Sequence, residues 1–93
     1  TRAMPRGFPE RLYVSWDVDV FDCALMPATG TPEPGGLDWW GGMRLLTELT
    51  KGREIVGADV VELAPIAGLH HCDFTAAKLV YRLMEATLQS QCR

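Results

Sequence analysis

The sequence predicts an α/β fold with parallel strands. Three observations carry this. Residues 12–20 and 54–63 are rich in β-branched and aromatic side chains. Each is followed, after a loop, by a segment whose apolar residues recur at helical spacing. The resulting order, β–loop–α–β–α, joins successive strands through a helix, which is the connection of parallel sheets with right-handed crossovers.

Taken in order, residues 1–11 mix Arg, Pro and Gly and read as an irregular lead-in. Residues 12–20, LYVSWDVDV, place apolar side chains on both faces, as in a strand covered on both sides. Residues 22–37 contain PATGTPEPGG, whose prolines and glycines exclude both helix and central strand. A loop of that length inside a compact domain is commonly a binding element. Asp38 is placed to cap a helix running to Thr50, with Trp39, Trp40, Met43, Leu46 and Leu49 at helical spacing and Gly52 at the stop. Residues 54–63 read as the second strand, with Gly57 inside it and Pro65 and Gly68 beyond. Asp73 or Thr75 is placed to cap a last helix through Gln89, with Ala76, Ala77, Val80, Leu83, Met84 and Leu88 as its buried stripe.

Two strands make a poor parallel sheet, because such a sheet is buried on both faces and needs more neighbours. The 93 residues, which begin with Thr, therefore read as the C-terminal portion of one larger α/β domain, with residues 12–93 supplying β–loop–α–β–α. Apolar residues at 47% and charged residues at 23% argue against intrinsic disorder. A net charge of −3 gives no electrostatic footprint for nucleic acid. No apolar run reaches the ~18 residues of a membrane span. The first ten residues lack the apolar region of a signal peptide. Cys23, Cys72 and Cys92 are odd in number and widely spaced, which fits reduced thiols and a cytoplasmic location rather than a disulfide framework.

The sharpest local feature is Ser15-Trp16-Asp17-Val18-Asp19-Val20-Phe21-Asp22. On a strand, Asp17 and Asp19 share a face, about 6–7 Å apart. Two carboxylates at the end of an apolar strand repel and resist leaving water. A hard divalent ion such as Mg²⁺ or Mn²⁺ resolves this, and so does simple solvation at the strand end. Glu62 lies at the end of the second strand. If the strands are parallel it shares the carboxyl edge where open α/β sheets bind ligands. There it suits the planar fork of a guanidinium, or equally a helix N-terminus or an Arg. His70-His71-x-Asp73 reads as a loop leading into a helix cap. The Trp39-Trp40 pair reads as core or subunit contact, and Cys23 as structural.

Together these residues resemble the ureohydrolase (arginase/agmatinase) family. Three blocks carry the resemblance: residues 15–22 as an S-x-D-x-D-x-x-D metal signature, Thr29-Gly30-Thr31-Pro32-Glu33-Pro34-Gly35-Gly36-Leu37, and Asp59-Val60-Val61-Glu62-Leu63-Ala64-Pro65. The order is right, the match runs from about Leu12 to the end, and the middle block looks more like agmatinases than classical arginases. The resemblance implies a three-layer α/β/α fold around a large parallel sheet, with two Mn²⁺ ions at its carboxyl edge. It implies that Asp17 binds both ions and Asp19 one, that Glu62 grips the substrate guanidinium, and that Asp22 fixes the loop. Thr29, Gly30, Thr31 and Glu33 would line the substrate entrance. It further implies metal-assisted hydrolysis of a guanidino group to urea and an amine. Members commonly form homo-oligomers, trimers or hexamers.

There are departures. Cys23 stands where the family usually has Pro, Ala28 where Gly is common, and Gly68 where many members carry Asp. The family's remaining ligands, a His and an Asp-x-His-x-Asp motif, are expected upstream, and no residue of this segment is assigned as catalytic. Relatives act on arginine, guanidinobutyrate, proclavaminate-type guanidines or formiminoglutamate, so the substrate is open within the class. A different reading is a truncated, inactive remnant that only associates.

Overall fold

The computed structural model describes residues 9–92. Of the lead-in expected over 1–11, residues 1–8 lie outside that range, and the first strand already begins at Arg11. The order is β1 (Arg11–Asp17), a 3-10 turn (Val18–Val20), α1 (Trp39–Thr50), β2 (Glu54–Val61) and α2 (His70–Gln91). The strands pair in parallel, as predicted, with Arg11 opposite Glu54, Ser15 opposite Asp59 and Asp17 opposite Val61. A bulge between Leu12 and Tyr13 shifts the register by one residue, so that Leu12 faces Ile55 but Tyr13 faces Gly57.

Alternation decides the layers. Leu12, Val14 and Trp16 turn toward the helices, while Arg11, Tyr13 and Ser15 are exposed. Among the described residues the helices cover one face of the sheet; the second cover expected for these strands is not among them. The uncovered face is the more polar one, so a one-residue slip would exchange the two sets of side chains. The core gathers Trp16 of β1, Val18 and Phe21 beyond it, Leu46 of α1, and Leu79 and Leu83 of α2. Phe21 is fully buried, 5.6 Å from the Trp16 ring and stacked on Trp39 at 5.9 Å. Burying a side chain of this size stabilises by roughly 1.5–3 kcal/mol.

α1 starts where the sequence predicts. The Asp38 carboxylate accepts from the Gly41 amide at 2.6 Å, satisfying a free donor of the first turn. Gly42 has no room for a side chain, because an added Cβ would lie 2.7 Å from the Phe21 ring. Of the Trp39-Trp40 pair, expected as core or subunit contact, Trp39 reaches Phe21 while Trp40 is 65% exposed and so is not a core residue among those described.

α2 begins earlier than predicted, at His70, with Leu69 in the cap position and no side-chain cap. Asp73 instead sits in the first turn, where its charge complements the helix dipole. The Thr75 hydroxyl bonds back to the His71 carbonyl at 2.8 Å. The buried stripe is Cys72, Ala76, Leu79, Leu83 and Ser90. Ala76 and Leu83 were expected there; Ala77, Val80, Met84 and Leu88 are exposed. Two side chains at the end of α2 close the backbone of β2. Ser90 Oγ accepts from the Ile55 amide at 2.9 Å, and Gln91 Nε2 donates to the Ile55 carbonyl at 2.7 Å. No helix among the described residues is long and apolar enough to cross a membrane.

Candidate functional site

The two strands end side by side, and the candidate residues follow those ends. β1 stops at Asp17, not at Val20 as expected. Val18, fully buried, pulls the chain inward and starts a 3-10 turn. Asp17 and Asp19 are therefore not i and i+2 neighbours on one strand face. They are brought together by the turn, with Asp17 Oδ1 accepting from the Asp19 amide at 3.0 Å. Asp19 Oδ2 accepts from the Thr31 hydroxyl at 2.9 Å, so the following loop returns to hold this carboxylate.

Asp22 organises that loop. Its amide donates to the Leu37 carbonyl at 2.8 Å, and its carboxylate accepts from the amides of Ala24 and Gly35, both at 2.8 Å. Cys23 donates to the Glu33 carbonyl at 2.9 Å. Residues 20–23 and 33–37 are thereby zipped together. These backbone donors, Ala24 first and then Gly35, hold the Asp22 carboxyl below the ordinary carboxylate range. Gly36 is needed at the zipper because an added Cβ would meet three backbone atoms at 2.7 Å. Glu33 contributes its carbonyl here, and Gly30 is exposed.

The loop also reaches the second strand. Thr29 forms a bridge to Leu63, and the Ala64 amide donates to the Ala28 carbonyl at 2.8 Å. Glu62 lies between this bridge and the end of β2. Its φ is +72°, the one non-glycine left-handed residue among those described. That conformation costs an L-residue roughly 1–2 kcal/mol. It occurs here because the chain must leave β2 and at once pair with the loop. Thr29 is 8% exposed, and its hydroxyl has no hydrogen-bond partner among the described residues.

The one loop therefore grips both strand ends: Thr31 holds Asp19, and Ala28 and Thr29 hold the residues just after Glu62. Asp17, Asp19 and Glu62 each lie at or just beyond the carboxyl end of one of the two parallel strands. His70 and His71 open α2, and His71 Nε2 lies 3.6 Å from the Cys72 sulfur. Among the described residues no three His, Cys, Asp or Glu side chains are grouped to hold a metal ion. Asp17 and Asp19 have the right donor type for a hard divalent ion but are too few to form a site by themselves.

Three residues on the open face of the sheet have a relation that residue types alone do not reveal. The hydroxyls of Ser15 and Tyr13 converge on the two carboxylate oxygens of Asp59, at 2.6 and 2.8 Å. They lower the Asp59 pKa, Ser15 more than Tyr13, and the same contact raises that of the Tyr13 phenol. The available signal was spacing. Ser15 precedes Asp17 by two residues on one face, and Asp59 precedes Glu62 by three.

An α/β unit with acidic residues at its carboxyl edge, joined by one gripping loop, defines the class. The chain belongs to the arginase family: the model of that family matches residues 2–85. It is 40% identical over 82 residues to N(1)-aminopropylagmatine ureohydrolase of Synechocystis, covering 88% of this chain and 27% of that protein. It is 48% identical over 75 residues to agmatinase of Pyrococcus horikoshii, covering 81% and 26%. Among solved structures, proclavaminate amidino hydrolase from Streptomyces clavuligerus superposes with a TM-score of 0.75 at 34% identity, over 84% of this chain and 27% of that one. The chain spans about a quarter of the length of the relatives it matches. The arginase-like α/β fold expected from the sequence is thus present, with one helical layer in place on the sheet.

Proposed function

We propose that this chain is the C-terminal part of a manganese-dependent ureohydrolase that cleaves a guanidino group of an agmatine-like substrate to urea and an amine. The observation that carries the reading is the single loop that ties Asp19 to Thr31 on one side and the residues after Glu62 to Ala28 and Thr29 on the other. Such a loop sets a metal-ligand pair and a guanidinium-binding carboxylate in one fixed relation. The names of the relatives above, agmatinase and N(1)-aminopropylagmatine ureohydrolase, support an agmatine-type substrate.

In this reading Asp17 and Asp19 give anionic oxygens to the metal, with the other ligands supplied by the rest of a longer chain. The metal, when bound, supplies Lewis-acid activation of the attacking water. Glu62 offers two oxygens to the guanidinium and orients its carbon, turning binding into effective molarity. Thr31 keeps one oxygen of Asp19 occupied, which limits how that carboxylate turns. The working protein would be a cytoplasmic homo-oligomer. Asp17 and Asp19 alone are too few ligands for a binuclear site, so the isolated chain is expected to be inactive.

The test is urea release by the full-length protein, loaded with Mn²⁺, from agmatine, N(1)-aminopropylagmatine and arginine. Urea from the first two in preference to arginine is the expected result. No urea from any of them refutes the reading.

A further inference from the structure

We propose that Asp59 is a positioning residue that sets Asp17 and Glu62 in register, through the hydroxyls of Ser15 and Tyr13. The inference rests on the functional reading above, and adds to it a carboxylate that touches neither metal nor substrate. Ser15 and Asp59 are direct cross-strand partners, and their side chains meet at 2.6 Å. Tyr13 faces Gly57, and its ring lies over that glycine so closely that an added Cβ would sit 2.9 Å from two ring carbons. The glycine lets the ring lie along the sheet, and its hydroxyl then reaches the second oxygen of Asp59 at 2.8 Å.

The register these bonds select is not the one that the start of the sheet defines. Arg11 and Leu12 face Glu54 and Ile55; without the bulge Tyr13 would face Val56, and Asp17 would face Val60. Ser15 would then face Ala58, and Asp59 would be left without the partner it has. The bulged register carries Asp17 opposite Val61, next to Glu62. A slip of one residue moves Glu62 by about 3.3 Å along β1 and turns alternate side chains to the other face. Two hydroxyls on one carboxylate are charge-assisted bonds, which disfavours that slip.

The test uses the full-length manganese-loaded protein with agmatine. Ser15→Ala and Asp59→Ala are each expected to lower kcat about 10-fold or more with little change in KM, the size of effect common for groups that orient metal ligands. The electron paramagnetic resonance spectrum of bound Mn²⁺ is expected to change in line shape at unchanged manganese content. Asp59→Asn, which keeps the shape and an acceptor oxygen, is expected to restore the line shape and part of kcat. If Asp59→Ala does not fold, Ser15→Ala and Tyr13→Phe decide the matter. An unchanged kcat and line shape in Ser15→Ala overturns the proposal, as does a signal that only shrinks in step with lost protein. A parent protein that binds no manganese and releases no urea overturns the functional reading itself, and the proposal with it.

Discussion

The Thr31 hydroxyl donates to Asp19 Oδ2 at 2.9 Å across twelve positions of chain, so a residue of the Pro/Gly-rich loop fixes a carboxylate at the end of β1. In the proposed function Asp19 gives an oxygen to the metal, and a hydroxyl holding its other oxygen would limit how the carboxylate turns. Thr31→Val removes the donor at nearly constant shape. In the full-length protein it is expected to weaken manganese binding by about 10- to 100-fold. A metal titration that gives the parent affinity would show that the contact has no such role.

Gly36 and Gly30 sit in the same loop and make a matched pair. An added Cβ at Gly36 meets Asp22, Phe21 and Val20 backbone atoms at 2.7 Å, whereas at Gly30 it meets nothing within 4 Å. Gly36→Ala is expected to destabilise by about 1–3 kcal/mol, as overpacking does. Gly30→Ala should fall within about 0.5 kcal/mol of the parent. Denaturant unfolding of both variants measures the difference, and equal midpoints would mean the zipper between residues 20–23 and 33–37 yields freely.

Glu62 holds a left-handed conformation that glycine adopts without strain. Glu62→Gly is expected to be more stable than Glu62→Ala by about 1 kcal/mol, since only alanine retains the strain. Both variants are expected to lose urea release. A glycine variant less stable than the alanine one would show that the strain at this position is negligible.

Asp22 and Asp59 are both more acidic folded than unfolded, the first through the amides of Ala24 and Gly35, the second through the hydroxyls of Ser15 and Tyr13. A lowered folded pKa means that the folded state binds fewer protons at intermediate pH. The stability these groups contribute is therefore present above about pH 4 and is lost as pH falls through their folded values. The melting temperature of the Asp22→Asn/Asp59→Asn double variant should vary less below about pH 4 than that of the parent. Parallel curves would show that these bonds do not survive in solution.

In the core, Leu79 is fully buried while Met84, five residues along α2, is 57% exposed. Leu79→Ala is expected to cost about 2–5 kcal/mol, and Met84→Ala under about 0.5 kcal/mol. Chemical unfolding separates the two, and a large loss at Met84 would place that side chain in a contact outside the described residues.

Much was legible from residue types alone. Strand runs, the Asp38 cap, the stop at Gly52 and the acidic residues at the carboxyl edge all follow from local chemistry and spacing. What failed was the assignment of faces. The helical periodicity of α2 allowed two apolar stripes, and only its place in the tertiary core put Leu79 and Leu83, and not Met84 and Leu88, in the buried cluster with Trp16 and Phe21. The strand run did not stop at Asp17 by composition, since Val18 and Val20 are good strand residues. It stopped because Val18 found a buried place that required a turn.

The sequence by itself determined the parallel α/β order, the loop between β1 and α1, and which carboxylates stand at the strand ends. These depend on alternation, capping and turn residues, which act over a few positions. Tertiary structure alone decided the bulged register, the left-handed backbone of Glu62 and the convergence of Ser15 and Tyr13 on Asp59. Each depends on a contact between segments more than 30 residues apart, and the energy of such a contact exists only once the chain has brought both partners together.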